Sequence, residues 1–317
     1  MKMLRSLVFA FPLMSSWAGG SDLVVVVGAP GAAEFAPRFQ AAGEAWQAAG
    51  QRGGAEGHRV GLADDSALAQ LDELVPRLAA TPGGPLWIVL LGHGTFDGRE
   101  AKFNLRGPDL TAKALSGWLE GSERPVAVIN CSASSAPFLK VLSAPGRTIV
   151  TATKSGTEDS YARFGEFLAE TIDAAEADRD QDGSTSLLEA FVAASGRVRE
   201  FYRQQGRIAT EEALIDDNGD GLGTPADWFR GVRAVKVAKD GAEADGRRAH
   251  QLQLAPGEEE RLLSAEARAR RNALEEELFA LRSRKDEMPA DAYFRELERI
   301  VRALAEIYAA AGTEGDS

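Results

Sequence analysis

Trp87-Ile-Val-Leu-Leu91, followed by Gly92-His93-Gly94, and Val126-Ala-Val-Ile129, followed by Asn130-Cys131-Ser132, decide the fold. Short apolar, β-branched runs closed by small residues predict buried strands of a parallel sheet. Open parallel sheets gather their chemistry just beyond the carboxyl ends of strands. This places His93 and the sole cysteine, Cys131, at one edge of one sheet, the arrangement of a thiol nucleophile and its base. A thiol reacts as its thiolate. A helix predicted over 132–142 would favour that anion at its start, and an imidazole can carry the proton. Gly94 has no side chain in the way, so its N–H, with that of Cys131, is expected to hold an oxyanion.

Outward from this pair the same alternation continues. Apolar runs predict strands at 23–27, 58–62 and 148–152, with a short hairpin near 102–105. Helical spacing appears at 34–49, from Asp64, Asp65 or Ser66 to 80, from Asp109 or Thr111 to 119, and at 161–177. Alternating strands and helices imply a mostly parallel sheet covered on both faces. Further on, a helix is expected at 187–204 and strands at 232–237 and 250–254. From Pro256 the chain reads as a helical hairpin broken at Asp286-Glu-Met-Pro289.

With 317 residues there is room for one large α/β domain, placed at 19–235, and a C-terminal extension, 236–317. The net charge of −12, with no basic patch, argues against nucleic acid as a partner. Lys2 and Arg5, the apolar 7–14 and Ser16-Trp17-Ala18 predict an export signal over 1–18, hence a periplasmic or extracellular protein. That apolar run is short and holds Pro12, so stable membrane insertion is not expected. One cysteine permits no internal disulfide. His58 and His250 lack a comparable setting and read as surface residues.

Two acidic loops follow the α/β alternation. Asp178-Arg-Asp-Gln-Asp-Gly-Ser-Thr-Ser-Leu-Leu-Glu189 fits a twelve-residue EF-hand calcium loop. Asp178, Asp180 and Asp182 fill positions one, three and five, Ser184 offers a carbonyl at seven, and Ser186 acts through water at nine. Glu189 supplies the bidentate carboxylate. Hard oxygens so crowded repel one another unless a cation, here Ca2+, sits among them. A weaker second loop offers Asp216, Asn218, Asp220 and Asp227, with Gly223 and Pro225 disturbing its later part.

The order strand–His93-Gly94, then strand–Cys131-Ser132, resembles the caspase and legumain superfamily of cysteine peptidases, in its legumain-type branch. The residues after the cysteine, Ser132-Ala-Ser-Ser135, match that branch only loosely. Thr151-Ala-Thr-Lys-Ser-Gly156 with Glu158 resembles the strand and loop lining that family's substrate pocket, which gives Thr153, Ser155 and Glu158 as pocket residues. The resemblance covers 23–172. It implies a caspase-like three-layer sandwich with a mostly parallel central sheet, to which the C-terminal helical hairpin is appended. It also implies a cysteine endopeptidase acting on polypeptide through Cys131 and His93, here stabilised by calcium. The rival reading is a catalytically idle, calcium-binding, peptidase-like interaction module that recruits a partner protein through its C-terminal helices. A cysteine-dependent acyl transferase or ligase on the same site is a third.

Overall fold

The apolar runs at 23–27, 58–62, 87–91, 126–129 and 148–152 all give strands of one sheet. The computed structural model describes residues 20–61, 65–236 and 245–314, so the predicted export signal lies outside the described residues. In chain order the central elements are β1 (Asp22–Val27), α1 (Ala36–Gly53), β2 (Glu56–Val60), α2 (Ala67–Ala80) and β3 (Leu86–Leu91). A small antiparallel sheet follows, β4 (Gly94–Phe96), β5 (Ala101–Phe103) and β6 (Leu110–Thr111). Then come α3 (Ala112–Trp118), β7 (Val126–Asn130), α4 (Ala136–Leu142), β8 (Arg147–Thr151), α5 (Phe164–Thr171) and α6 (Leu187–Gln204). Short strands β9 (Leu214–Asp216), β10 (Thr224–Pro225), β11 (Phe229–Arg230) and β12 (Arg233–Ala234) precede α7 (Arg247–Gln251) and α8 (Glu258–Leu262).

The seven-stranded sheet has the order β10-β9-β8-β7-β3-β1-β2. Its β1, β2, β3, β7 and β8 run parallel, and β9 is antiparallel to β8. Strand side chains alternate between faces. Val25, Val89 and Ile129 meet Phe39 and Trp46 of α1, Leu168 of α5 and Phe191 of α6 on one side. Val24, Ile88 and Val128 meet Leu71 of α2, Leu115 of α3 and Phe138 of α4 on the other. This is the three-layer sandwich expected from the sequence.

Three expectations change. The segment 250–254 is not a strand; α7 occupies 247–251, and only Gln253 makes an isolated bridge, to Ser186. The helix after β7 begins at Ala136, not at 132, because a turn with Ser134 at φ 52° intervenes. The domain boundary also falls later than 235. Among the described residues, 20–262 form one unit and 263–314 another, since Ala249, Leu252 and Leu254 belong to the sheet's own core.

The second unit is the expected hairpin, α9 (Ala265–Ser283) and α10 (Ala290–Glu314). Its core takes Leu274 and Leu281 from one helix and Tyr293, Ile300 and Ile307 from the other. Their seven-residue spacing is what antiparallel helices packed along one seam require. No described helix is long and apolar enough to cross a membrane.

Candidate functional site at the strand tips and the acidic loops

His93 leaves β3 at its carboxyl end and stands among Phe35, Phe39 and Tyr161, with ring centroids 4.8, 5.2 and 6.0 Å away. Its Nε2 lies 3.0 Å from the carbonyl oxygen of Pro30. A carbonyl only accepts, so Nε2 carries the hydrogen and Nδ1 is left as the basic nitrogen. Ring orientation is thus fixed as a general base would need.

Cys131 does not answer it. The residue is 4% exposed and belongs to the core shared with α1, α5 and α6. Gly165 of α5 lies so close that a methyl group there would stand 2.5 Å from Cys131 Cβ and 3.1 Å from Sγ. Burial alone pushes the thiol pKa far up, the opposite of what a nucleophile needs. No hydrogen bond joins Cys131 to His93 among the described residues. The Cys131 N–H is also engaged, donating to the Leu90 carbonyl at 2.9 Å. It is therefore not free to hold an oxyanion, and the helix expected to begin beside the sulfur starts five residues later, at Ala136. The structure thus brings His93 and Gly94 to the sheet edge as expected but seats Cys131 in the layer beneath.

Ser132 takes the place beside Gly94. A methyl group on Gly94 would stand 2.6 Å from Ser132 Oγ and 2.3 Å from the Ala133 carbonyl oxygen. Ser132 Oγ donates to Asn130 Oδ1 at 2.6 Å, and its N–H donates to the same oxygen at 3.0 Å. Asn130 is fully buried, and its Nδ2 has no hydrogen-bond partner. Strand alternation explains the exchange: Ile129 and Cys131 face α5, so Ser132, itself buried, turns to the opposite side.

Of the three expected pocket residues, Glu158 lines a cavity of about 400 Å³ that Thr153 and Ser155 do not reach. Thr153 is fully buried and ties two turns together, its Oγ1 3.1 Å from Ser135 Oγ and accepting from the Ala136 N–H. Ser155 closes an exposed turn on Thr157. Glu158 accepts from the N–H groups of Lys154 and Glu212, and its pKa is raised, chiefly by burial.

The first acidic loop gathers its carboxylates at one place. Carboxylate oxygens of Asp178, Asp180 and Asp182 lie within 4.8 Å of one another. Asp178 accepts the N–H groups of Gln181 and Gly183, at 2.7 and 3.0 Å, and Gly183 takes φ 85°. Glu189 spans the loop: Oε1 accepts from the Arg179 and Asp180 N–H groups, and Oε2 from the Ser186 hydroxyl at 2.7 Å. Ser184 gives its N–H to Asp182 and accepts Gly257 N–H on its hydroxyl. Burial first and neighbouring carboxylates second push Asp180 and Asp182 up to about 6. These are hard oxygen donors in mutual repulsion, and they fit Ca2+. His250, read as a surface residue, instead lies against this loop, its Nε2 3.4 Å from Asp180. His58 likewise sits half-buried beside Asp22, at 3.2 Å.

The second loop repeats the first with one replacement. Asp216 accepts the N–H groups of Gly219 and Gly221, and Asp220 that of Leu222, position for position. Asn218 accepts the N–H of Asp220. Asp227, expected at position twelve, points away, exposed and paired with Lys236 at 2.6 Å. Asp245 stands in for it. Its Oδ1 accepts from the Asp217 and Asn218 N–H groups, at 2.9 and 3.2 Å, and its Oδ2 from the Thr224 hydroxyl at 2.6 Å. These are the counterparts of the bonds Glu189 makes to positions two, three and nine of its own loop. Asp245 is 1% exposed, and burial, with Asp217 next, pushes it up to about 7. Sequence spacing could not find it, because the carboxylate arrives from 29 residues beyond Asp216, and Asp240-Gly241 offers the same dipeptide nearby.

No protein-family model matches the chain, and no curated protein matches it. Among solved structures it is similar to the initiator caspase Dronc of Drosophila, at 15% identity over 67% of this chain and 84% of that one, with a TM-score of 0.43. It is also similar to caspase-1 of Spodoptera frugiperda, at 8% identity over 63% and 86%, with a TM-score of 0.41.

Proposed function

We propose that this chain is a calcium-binding, peptidase-like domain that binds polypeptide and does not cleave it through Cys131. The observation that carries this reading is the seat of Cys131, closed over by Gly165 with its N–H spent on Leu90. A cysteine endopeptidase would need that thiol to leave the core and pair with His93. Ser132 does not replace it, since its proton rests on the amide oxygen of Asn130, which is no base at neutral pH.

Calcium belongs to this reading through its own residues. Asp178, Asp180, Asp182, the Ser184 carbonyl and Glu189 would hold one ion; Asp216, Asn218, Asp220 and Asp245 would hold a second. An ion there screens carboxylates that otherwise repel, and ties the segments before α6 and α7 to the sheet. Export, and partner recruitment by α9 and α10, remain part of the proposal.

The test is labelling with a thiol-directed peptide inhibitor, with and without chelator, beside cleavage of a peptide library. The reading expects neither labelling nor cleavage, and a higher melting temperature with calcium. Modification of Cys131 that disappears in His93→Ala would overturn it.

A further inference from the structure

A cavity of about 400 Å³ opens between α6, the start of α5 and the segment before β9. None of His93, Gly94, Cys131 or Ser132 lines it, so it is separate from the strand-tip site. Its walls are apolar, from Phe164, Val198 and Ala213, and four carboxylates against two cations stand among its lining residues. Lys154 pairs with Glu212 at 2.5 Å and Asp227 with Lys236 at 2.6 Å, which leaves Glu158 and Glu211 against Arg199. Glu211 is buried and holds the N–H groups of Arg163 and Phe164, and Glu158 stands at the rim with its N–H partners on one oxygen only.

Ser195 marks a polar point in the wall. It is 7% exposed, lines the cavity from the middle of α6, and its Oγ has no hydrogen-bond partner. Buried hydroxyls are nearly always bonded, and an unbonded one in a cavity wall awaits a donor from whatever enters. A ligand that satisfies all of this has an aliphatic stem for the walls and a cationic N–H head for Ser195 and the carboxylates.

We infer that this cavity binds an alkyl guanidinium or alkyl ammonium group, as on an arginine or lysine side chain or a free polyamine. Burial raises the pKa of both Glu158 and Glu211, so a cation brought among them relieves a charge already short of solvent. The chain's net charge of −12 also favours approach of cations.

Titration calorimetry on the full chain tests this with N-acetyl-arginine amide, agmatine and the neutral N-acetyl-norleucine amide. The arginine amide or agmatine should bind at least about tenfold more tightly than the norleucine amide; whichever of the two is tighter identifies a peptide or a free amine as the source. Ser195→Leu, which fills the cavity, should abolish binding, and Glu158→Gln should weaken it at least about fivefold. The second variant keeps the test open if the first does not fold. Equal affinity for the neutral amide, no saturable binding, or binding indifferent to Glu158→Gln would overturn the inference. None of these readouts depends on thiol reactivity or calcium, so failure here leaves the proposed function standing, and the reverse.

Discussion

Gly165 of α5 lies flush against Cys131, leaving no space for even a methyl group between helix and strand tip. The glycine lets α5 approach the sheet closely enough to close over the sulfur. Gly165→Ala should therefore cost about 1–3 kcal/mol, as overpacking in a tight core does. Cys131→Ser should cost a similar amount, about 1–3 kcal/mol, by burying a hydroxyl where no partner waits. Chemical denaturation measures both. A Gly165→Ala protein as stable as the parent would mean that the sulfur is not enclosed as described.

The same contact predicts thiol behaviour. In native protein Cys131 should react with a small disulfide reagent orders of magnitude more slowly than in denaturant, and rise in rate only with unfolding. Reaction at native pH 7 as fast as in denaturant would return the residue to the list of nucleophiles.

How much of this was legible from sequence follows from the range of each cause. Sheet and helices could be read because 87–91 and 126–129 carry their burial in consecutive apolar residues. His93 could be placed because a strand's end is a local event. Cys131 could not, because one step of strand alternation, together with a glycine 34 residues on, decides whether it faces the edge or the core. Asp227 and Asp245 show the same limit. A twelve-residue template counts along the chain, whereas the loop accepts any carboxylate that the fold delivers to positions two, three and nine.

Arg124 is a structural prediction free of any metal. Its side chain is 1% exposed and donates to Asp22 at 2.8 Å and to the carbonyls of Gly84, Leu78 and Gly20. Arg124→Ala takes the charged partner from Asp22, which keeps only His58 among the described residues, and one donor from each of those carbonyls at the amino end of the sheet, and should cost about 3–5 kcal/mol. Thermal denaturation with chelator present measures it apart from calcium.

The acidic loops give stability a pH dependence whose sign differs with and without calcium. Asp180 and Asp182 titrate near 6 in the folded chain, and near 4 once unfolded. Between those values the folded chain binds more protons than the unfolded one, so with chelator stability falls as pH rises through 4 to 6 and stays low above it. Calcium replaces the protons, so the rise in melting temperature on adding it should grow from pH 5 to pH 7. Melting curves at three pH values, with chelator and with calcium, check this; a calcium effect larger at pH 5 would contradict it.

The two loops separate by which carboxylate closes each. Asp227 is exposed and pairs with Lys236, an interaction worth about 0–1 kcal/mol, so Asp227→Asn should leave calcium stoichiometry unchanged. Asp245 instead bonds two loop N–H groups and the Thr224 hydroxyl from a buried position. Asp245→Asn removes its charge but keeps an oxygen for those donors, so the fold should survive while the second loop loses its ion. Calorimetric titration should then fall from two calcium ions bound to one, with the first loop's affinity retained. Glu189→Gln should do the converse, since Glu189 serves the first loop as Asp245 serves the second. Loss of a calcium ion in Asp227→Asn, with none lost in Asp245→Asn, would return the second loop to the twelve-residue count and remove Asp245 from it.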